Sequence, residues 1–361
     1  MKRKLSWNEE TIYALNLYKT FLGLIGVWPF GVENLSSKIR WSLAMLIQMS
    51  TIGSQSLEVY RHCVDLDDTM DAFLMDLSSL VSISKLLLTR LNYRHTRSLL
   101  SSIVEDLSIL EDSNQREIVM RYTTRGRIVS AAILYLGYAS GMSFVFRTLP
   151  LHYVLPENID RNETYDVKVT SYFLSTYCVF DDQSGFWRAA ILLLQTIQIF
   201  VNATSHCGND GFFFGIAMYL CGQFEVLRMN FANLGSEENL SCKKIGALVR
   251  RHCHLIRLAD NLEEAFNMII LIQLLMSALL LCIEGDMLES KSADLILGVY
   301  DSPWYMFDTS VVKNLAFVIF YGKIPRQVTA GKFVSMNFFT FKEIIKASAS
   351  YISVLRVALY E

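Results

Sequence analysis

The hydrophobic positions of this chain are gathered into long runs. Residues 268–283 contain no charged side chain, and residues 128–146 are also free of charge. Runs of about 18 or more such residues are typical of transmembrane helices. Six segments approach this pattern: 41–60, 72–89, 128–149, 186–207, 265–284 and 336–357. The pattern therefore predicts an all-α, polytopic helical membrane protein with six recognisable spans.

The composition favours lipid as the surroundings of these runs. Of the 361 residues, 52% are hydrophobic and 19% are charged, with a mean hydropathy of +0.30. A soluble domain has about 25% charged residues. Asp76 and Lys85 nevertheless fall inside the second predicted span. Charges at such depth usually face the interior of a helix bundle or a water-filled cavity, and we expect the same here.

The basic residues between the spans indicate the side of the membrane on which each loop lies. Successive loops from the N-terminus contain 6, 1, 7, 3 and 6 lysines and arginines when Arg147, at the end of the third span, is counted with the loop that follows it. Because loops rich in lysine and arginine stay in the cytoplasm, this alternation predicts a cytoplasmic N-terminus. A glycosylation sequon at Asn162 falls in a loop that this map puts outside. Further sequons at Asn34, Asn202 and Asn239 fall inside or in the membrane.

The segment from residue 212 to 264 has the spacing of amphipathic helices. Leu255, Leu258 and Leu262 form an apolar stripe, and charges cover the other faces. This predicts long helices that leave the membrane for the cytoplasm and bury the stripe against a partner, such as other copies of the chain. The polar residues 206–210 lie at the end of a predicted span, where we interpret them as helix-end packing and capping.

No catalytic or metal-binding motif accompanies these helices. The sequence has no P-loop, no GxSxG and no HExxH. Its seven cysteines form no CxxC pair, and a net charge of −2 implies no general attraction to nucleic acid. His252 and His254 are two residues apart, so on a helix they do not share a face. We predict no enzyme, no cofactor and no metal site.

The last predicted span has polar faces beside an apolar one. Phe338, Phe341 and Ile345 follow one helical face, whereas Lys342 and Lys346 lie on others. A helix surrounded only by lipid does not carry such polarity. Two interpretations fit it equally: a helix that lines a pore, and an amphipathic helix on the membrane surface.

Several short stretches of the sequence stand out as motifs. The N-terminal stretch is Phe21–Pro29 (FLGLIGVWP). Two more lie in the middle of the chain, at Cys207–Asp210 (CGND) and Cys221–Leu227 (CGQFEVL). The most specific block is C-terminal and comprises Tyr321, Ala330–Phe333 (AGKF), Thr340-Phe341, Ile345-Lys346, Ser350-Tyr351 and Val354-Leu355. In this order along the chain, these stretches resemble conserved elements of the insect odorant receptors. The motifs are most similar to those of an odorant-specific subunit of hymenopteran type.

This resemblance implies an odorant-gated, non-selective cation channel. Such receptors are heterotetramers with a shared co-receptor in the plasma membrane of olfactory sensory neurons, and each subunit contributes its last helix to the pore. Aligned through Ser350, the family's hydrophobic gate falls on Val354, and Val357 follows one turn later. A ring of apolar side chains blocks ions by dewetting, and dilation rewets it.

The resemblance also implies an odorant pocket in the outer half of the bundle, among spans two to five. Depth and helical face select Ser84, Tyr138, Ser140 and Phe144 as candidates, and ordinary bundle packing accounts for each of them at least as well. Apolar and aromatic walls predict a small hydrophobic odorant. Binding opens the gate only through a higher affinity for the open state.

One helix of the family has no counterpart in this chain. The family has seven spans, and Gly285 resembles both the exit of span five and the inner end of span six. Nothing in residues 284–310 reaches the roughly 20 apolar residues that a span needs. We therefore predict a shortened form whose gating is impaired.

We assign the chain, 1–361, to a single odorant receptor domain. Its parts are the cytoplasmic segment 1–40, spans one to four in 41–227, a cytoplasmic helical loop 228–264, span five in 265–284, an anchor region 285–335 and the pore helix 336–361. Two rival functions belong to other classes. One is a non-conducting protein that modulates receptor subunits, and the other is a transporter, against which the absence of an inverted repeat in the sequence weighs.

Overall fold

In the computed structural model, the described residues are 7–61, 66–109, 112–148, 185–236, 242–324 and 326–360. They form nine α-helices and one two-stranded hairpin. The helices are α1 (Glu9–Leu24), α2 (Leu35–Tyr60), α3 (Leu66–Leu91), α4 (Tyr93–Ile109), α5 (Ser113–Thr148), α6 (Gly185–Ala232), α7 (Cys242–Asp301), α8 (Thr309–Gly322) and α9 (Phe338–Tyr360). Strands β1 (Thr329–Ala330) and β2 (Val334–Ser335) are antiparallel. The chain divides into two compact units, Met1–Ile270 and Leu271–Glu361.

Small residues bring α5 and α6 of the first unit close together. A Cβ added to Gly126, Gly211 or Gly222 would lie within 3.1–3.2 Å of a side chain of the opposite helix. At Gly215 the same addition would overlap the ring and hydroxyl of Tyr18, which comes from α1. Glycine at these positions therefore permits the close helix approach that membrane bundles use.

Helix α1 is anchored at both ends. Asn8 caps its start, since its Oδ1 accepts the Thr11 amide at 2.8 Å. The turn that follows contains Gly26 with φ +71°, a conformation that suits glycine. The Gly26 carbonyl accepts Ser37 Oγ at 2.8 Å and Arg90 Nη1 at 3.0 Å. The FLGLIGVWP stretch therefore forms the end of α1 and the turn that binds α2 and α3 through the Gly26 carbonyl.

The hydrophobic core of the first unit is built around Phe212 of α6, whose side chain is fully buried. The rings of Tyr18, Trp28 and Phe266 surround it at centroid distances of 5.8–6.4 Å. Burial raises the pKa of Tyr18 above its usual value, against the lowering effects of the Ser130 hydrogen bond and of Arg127. The core thereby joins α1, α6 and the early part of α7.

The apolar stripe predicted on the cytoplasmic helix is buried within the chain. Leu255 and Leu258 of α7 are 0% and 2% exposed, and both belong to the core cluster of the first unit. The stripe was expected to face a partner such as another copy. That expectation is wrong for these two residues, because the bundle itself covers them.

Each of the six predicted spans falls mainly on a helix of the structure, but α6 and α7 end well beyond the predicted ends of their spans. Helix α6 runs on to Ala232, so residues 206–210 lie in its interior and not at a helix end. Helix α7 continues unbroken to Asp301, past the predicted end of span five. Within the described residues, the helices in Ala72–Leu91, Ala189–Ala232 and Lys243–Asp301 are long and apolar enough to cross a membrane.

Candidate functional site

A buried ion pair lies between α3 and α6. Lys85 is completely buried, and its Nζ lies 2.6 Å from Oδ1 of Asp210, whose side chain is 35% exposed. Nζ also lies 3.5 Å from the carbonyl oxygen of His206. The expectation that Lys85 faces the bundle interior is confirmed. Its partner was not predicted, because the sequence pattern suggested that Asp210 lay beyond the end of the helix.

More hydrogen bonds extend this contact along the same two helices. Oγ1 of Thr89 donates to Oδ1 of Asn209 at 2.8 Å. Asn202 Nδ2 donates to Ser78 Oγ at 2.9 Å, and His206 Nε2 lies 2.9 Å from the Ser78 carbonyl oxygen. Asn202, His206 and Asn209 are three or four residues apart, which places them on one face of α6. We call this α3–α6 contact, including Lys85–Asp210, the polar seam.

Some buried polar atoms of α2, α3 and α6 have no hydrogen-bond partner within the protein. Among the described residues these atoms include Asn202 Oδ1, Ser82 Oγ, Asp76 Oδ1, Gln48 Oε1 and Gln55 Nε2. A buried polar atom of this kind normally binds water or a ligand.

The four residues predicted for the odorant pocket have separate surroundings in the structure. Tyr138 OH lies 2.7 Å from Thr204 Oγ1, and its ring packs 6.0 Å from Phe21 and 5.6 Å from Phe200. The hydroxyl of Ser84 donates to Val81 in its own helix at 2.7 Å. Two further candidates do not add to this contact: Ser140 is exposed, and the Phe144 side chain lies outside the described residues. The pocket stays a prediction.

A small cavity elsewhere in the first unit is too small for an odorant. It has a volume of about 10 Å³ and lies beside Tyr18, Gly215 and Tyr219. That is room for roughly one water molecule. Ligand binding in this part of the bundle would require the helices to separate.

The predicted gate and glycosylation site lie largely beyond what the structure describes. Ser350 is exposed on α9. Val354 and Val357 fall within the same helix, but their side chains are outside the described residues. Asn162 is outside them altogether. These assignments stay predictions.

A second polar network joins α4, α6 and α7. Arg251 donates two hydrogen bonds to Asp106, at 2.7 and 2.8 Å, and a third to Oε1 of Gln223 at 2.8 Å. Gln223 Nε2 in turn donates to Tyr219 OH at 2.8 Å. Two parallel bonds between a guanidinium and a carboxylate fix both distance and orientation. The early part of α7 is therefore held firmly in the first unit.

The described residues contain no group of three or more His, Cys, Asp or Glu side chains that could hold a metal ion. Cys207, Cys221, Cys253 and Cys282, all within the described part, are free thiols. The polar seam and the Arg251 network are thus sites of hydrogen bonding and charge pairing.

Comparison with protein families gives a match over most of the chain. A family model described as "7tm Odorant receptor" matches residues 65–285 and 279–349. The two matched segments meet and overlap at residues 279–285. This is the point where the sequence predicted a missing helix.

Curated relatives align along nearly the whole chain. Odorant receptor 13a of Drosophila melanogaster is 21% identical over 404 residues, covering 94% of each protein. Odorant receptor 22c of the same species is 22% identical over 409 residues, covering 93% of this chain and 94% of the relative. Both alignments are longer than the 361 residues of this chain, so the relatives contain stretches that it lacks.

Solved structures have the same fold. The insect olfactory receptor OR5 from Machilis hrabei is similar with a TM-score of 0.59 at 13% identity, covering 96% of this chain and 99% of the other. Its complex with eugenol is similar with a TM-score of 0.59 at 12% identity, covering 97% and 100%.

Proposed function

This chain belongs to the 7tm odorant receptor family, and from that premise we propose that it is an odorant-gated, non-selective cation channel subunit. In this proposal it works with a co-receptor in the plasma membrane of olfactory sensory neurons. It is a multi-pass membrane protein, and its family consists of receptors and not of enzymes. The observation that carries the proposal is the family match across residues 65–349.

A small odorant is the proposed ligand. The Machilis hrabei receptor of the same fold has been solved with eugenol. In this chain, the aromatic contact of Tyr138 with Phe21 and Phe200 supplies apolar walls. Such walls suit a small apolar molecule.

The proposed gate is a ring of Val354 side chains from the last helix of each subunit. A constriction of such apolar groups excludes ions because water leaves it. An odorant opens the gate by binding the dilated state more tightly than the closed one. Val357 and Ser350, one turn away on either side, would then line the same conduction path.

A shortened, non-conducting form is the second candidate. It is favoured by the overlap of the two family-model segments at 279–285 and by the unbroken course of α7 through this point. Both observations fit a chain in which span six has been lost. Such a chain would still assemble with receptor subunits and modulate their currents.

Patch-clamp recording of the chain expressed with a co-receptor separates the two candidates. A channel subunit gives an odorant-evoked cation current that is absent when either partner is omitted. In that case Val354→Ala is expected to raise the odorant-independent current several-fold, whereas the control Val354→Ile keeps the gate closed. Absence of current together with suppression of another receptor subunit's response would contradict the channel and support the modulator. Solute uptake without current would contradict both.

A further inference from the structure

One face of α7 in the second unit receives the chain segment that leads into α9. Ser292 Oγ accepts the backbone amide of Arg326 at 2.9 Å, and Glu289 Oε1 accepts Gln327 Nε2 at 2.9 Å. Further back along α7, Asp286 Oδ2 accepts the backbone amide of Phe338 at 2.8 Å. Residues 286, 289 and 292 are three apart, so they share one helical face.

The hairpin between these contacts is a closed structure. Its turn contains Gly331 at φ +61° and Lys332 at φ +63°, and the Phe333 amide donates to the Ala330 carbonyl at 3.1 Å. At its base, the Met336 amide donates to the Val328 carbonyl at 2.8 Å. The chain segments on both sides of the hairpin therefore contact α7, and these contacts hold the residues ahead of α9 close to that helix.

The start of α9 is capped from within and from α7. The first four backbone N–H groups of a helix have no partner inside that helix. Asn337 accepts one of them, the amide of Thr340, at 2.8 Å. Asp286 accepts another, the amide of Phe338. A carboxylate is well suited to this position because the N-terminus of a helix has a partial positive charge.

Gly285, next to the capping carboxylate, lets the two segments touch. It is buried, and a Cβ at this position would overlap the carbonyl oxygen of Met336. Any side chain larger than hydrogen would push the residues ahead of α9 away from α7. By contrast, a Cβ on Gly298 of the same helix would meet nothing within 4 Å.

From these contacts we propose that Gly285 and Asp286 of α7 form a seat that positions the start of α9 and sets how readily the channel opens. The first half of this inference concerns position alone. The second half rests on the proposed channel function, because α9 is the helix assigned to the pore. Any displacement of this part of α7 then moves the first turn of α9 with it.

Amide hydrogen exchange in the detergent-solubilised full chain tests the seat without reference to current. Asp286→Ala removes the acceptor of the Phe338 amide, so exchange in a peptide covering residues 337–341 should rise about tenfold, as for the loss of a helix cap. Asp286→Asn keeps an acceptor oxygen and should give a smaller rise. Glu284→Ala, an exposed carboxylate on the same helix, is the control and should change nothing.

Gly285→Ala tests the same seat with Asp286 intact, and Gly298→Ala is its matched control. The first should raise exchange in residues 337–341, and the second should not. These glycine variants also decide the matter if Asp286→Ala fails to fold. Unchanged exchange in Gly285→Ala, or in a folded Asp286→Ala, would overturn the seat.

Single-channel recording with the co-receptor tests the consequence for gating. Asp286→Ala should change the open probability at saturating odorant severalfold and leave the unitary conductance as in the unmodified chain, with Asp286→Asn between them. Open probability equal to that of Glu284→Ala would overturn the gating role. If the unmodified chain carries no current, the channel proposal fails, and with it the gating half of this inference, while hydrogen exchange still decides the seat.

Discussion

The two compact units are stabilised in different ways. In the first unit, helices bury large side chains such as Phe212 and Phe266 in one core, and even a lysine is fully enclosed there. In the second unit, α8 has no buried residue, and the described side chains of α9 are intermediate or exposed. Three hydrogen bonds to α7 hold the start of α9 and the segment that leads into it.

This difference indicates how each unit responds to substitution. Burial is spread over many contacts, so a core side chain affects the stability of the whole bundle. A helix held by a few directional bonds changes its position when one of them is lost, with little effect on the core. We therefore expect substitutions in the first unit to alter stability and those on the seat to alter gating.

The largest effect is expected at the buried ion pair of the polar seam. Asp210→Ala leaves the Lys85 ammonium enclosed without its carboxylate, which should lower the free energy of unfolding by about 3–5 kcal/mol. The loss of stability is measured by heating the detergent-solubilised protein and using size-exclusion chromatography to monitor how much of it stays folded. The double variant Lys85→Met/Asp210→Ala removes both charges and should recover most of the loss. A single variant as stable as the unmodified chain would contradict the pairing.

A smaller effect is expected where Tyr18 lies against α6. Gly215→Ala forces the tyrosine ring away from the helix, and overpacking of this kind costs about 1–3 kcal/mol. The matched control is Gly53→Ala on α2, where a Cβ would meet nothing within 4 Å and alanine is the better helix former. The same unfolding assay compares them. Rescue of Gly215→Ala by Tyr18→Leu would identify the ring as the obstacle, and equal stability of the two alanine variants would refute it.

The smallest effect is expected at an exposed ion pair of α9. Lys346 Nζ lies 3.2 Å from Glu343 Oε1, and the two side chains are 60% and 50% exposed. Because solvent screens such a pair, Glu343→Gln should change the free energy of unfolding by no more than about 0.5 kcal/mol. A loss comparable to that of Asp210→Ala would show that α9 contributes to folding as much as the bundle does.

The sequence predicted where six of the helices lie, but it did not predict where α6 and α7 end. Hydrophobic runs mark where the chain prefers lipid, and all six predicted spans lie mainly on helices. The polar residues 206–210 suggested the end of a helix. A break in hydrophobicity along the sequence looks the same whether the helix ends there or continues with a buried polar face. In the structure, α3 supplies partners for His206, Asn209 and Asp210, and α6 continues.

The sequence by itself determined the class of the protein. Helical membrane spans follow from apolar runs, and the family follows from the resemblance of short motifs along the chain. Only the tertiary structure decided which polar groups meet: Lys85 with Asp210, Arg251 with Asp106, and Asp286 with the start of α9. The physical reason is the separation along the chain between the residues that interact. Hydropathy and helical periodicity are local properties of the chain, whereas these partners are separated by 52 to 145 residues and meet only when the helices have packed.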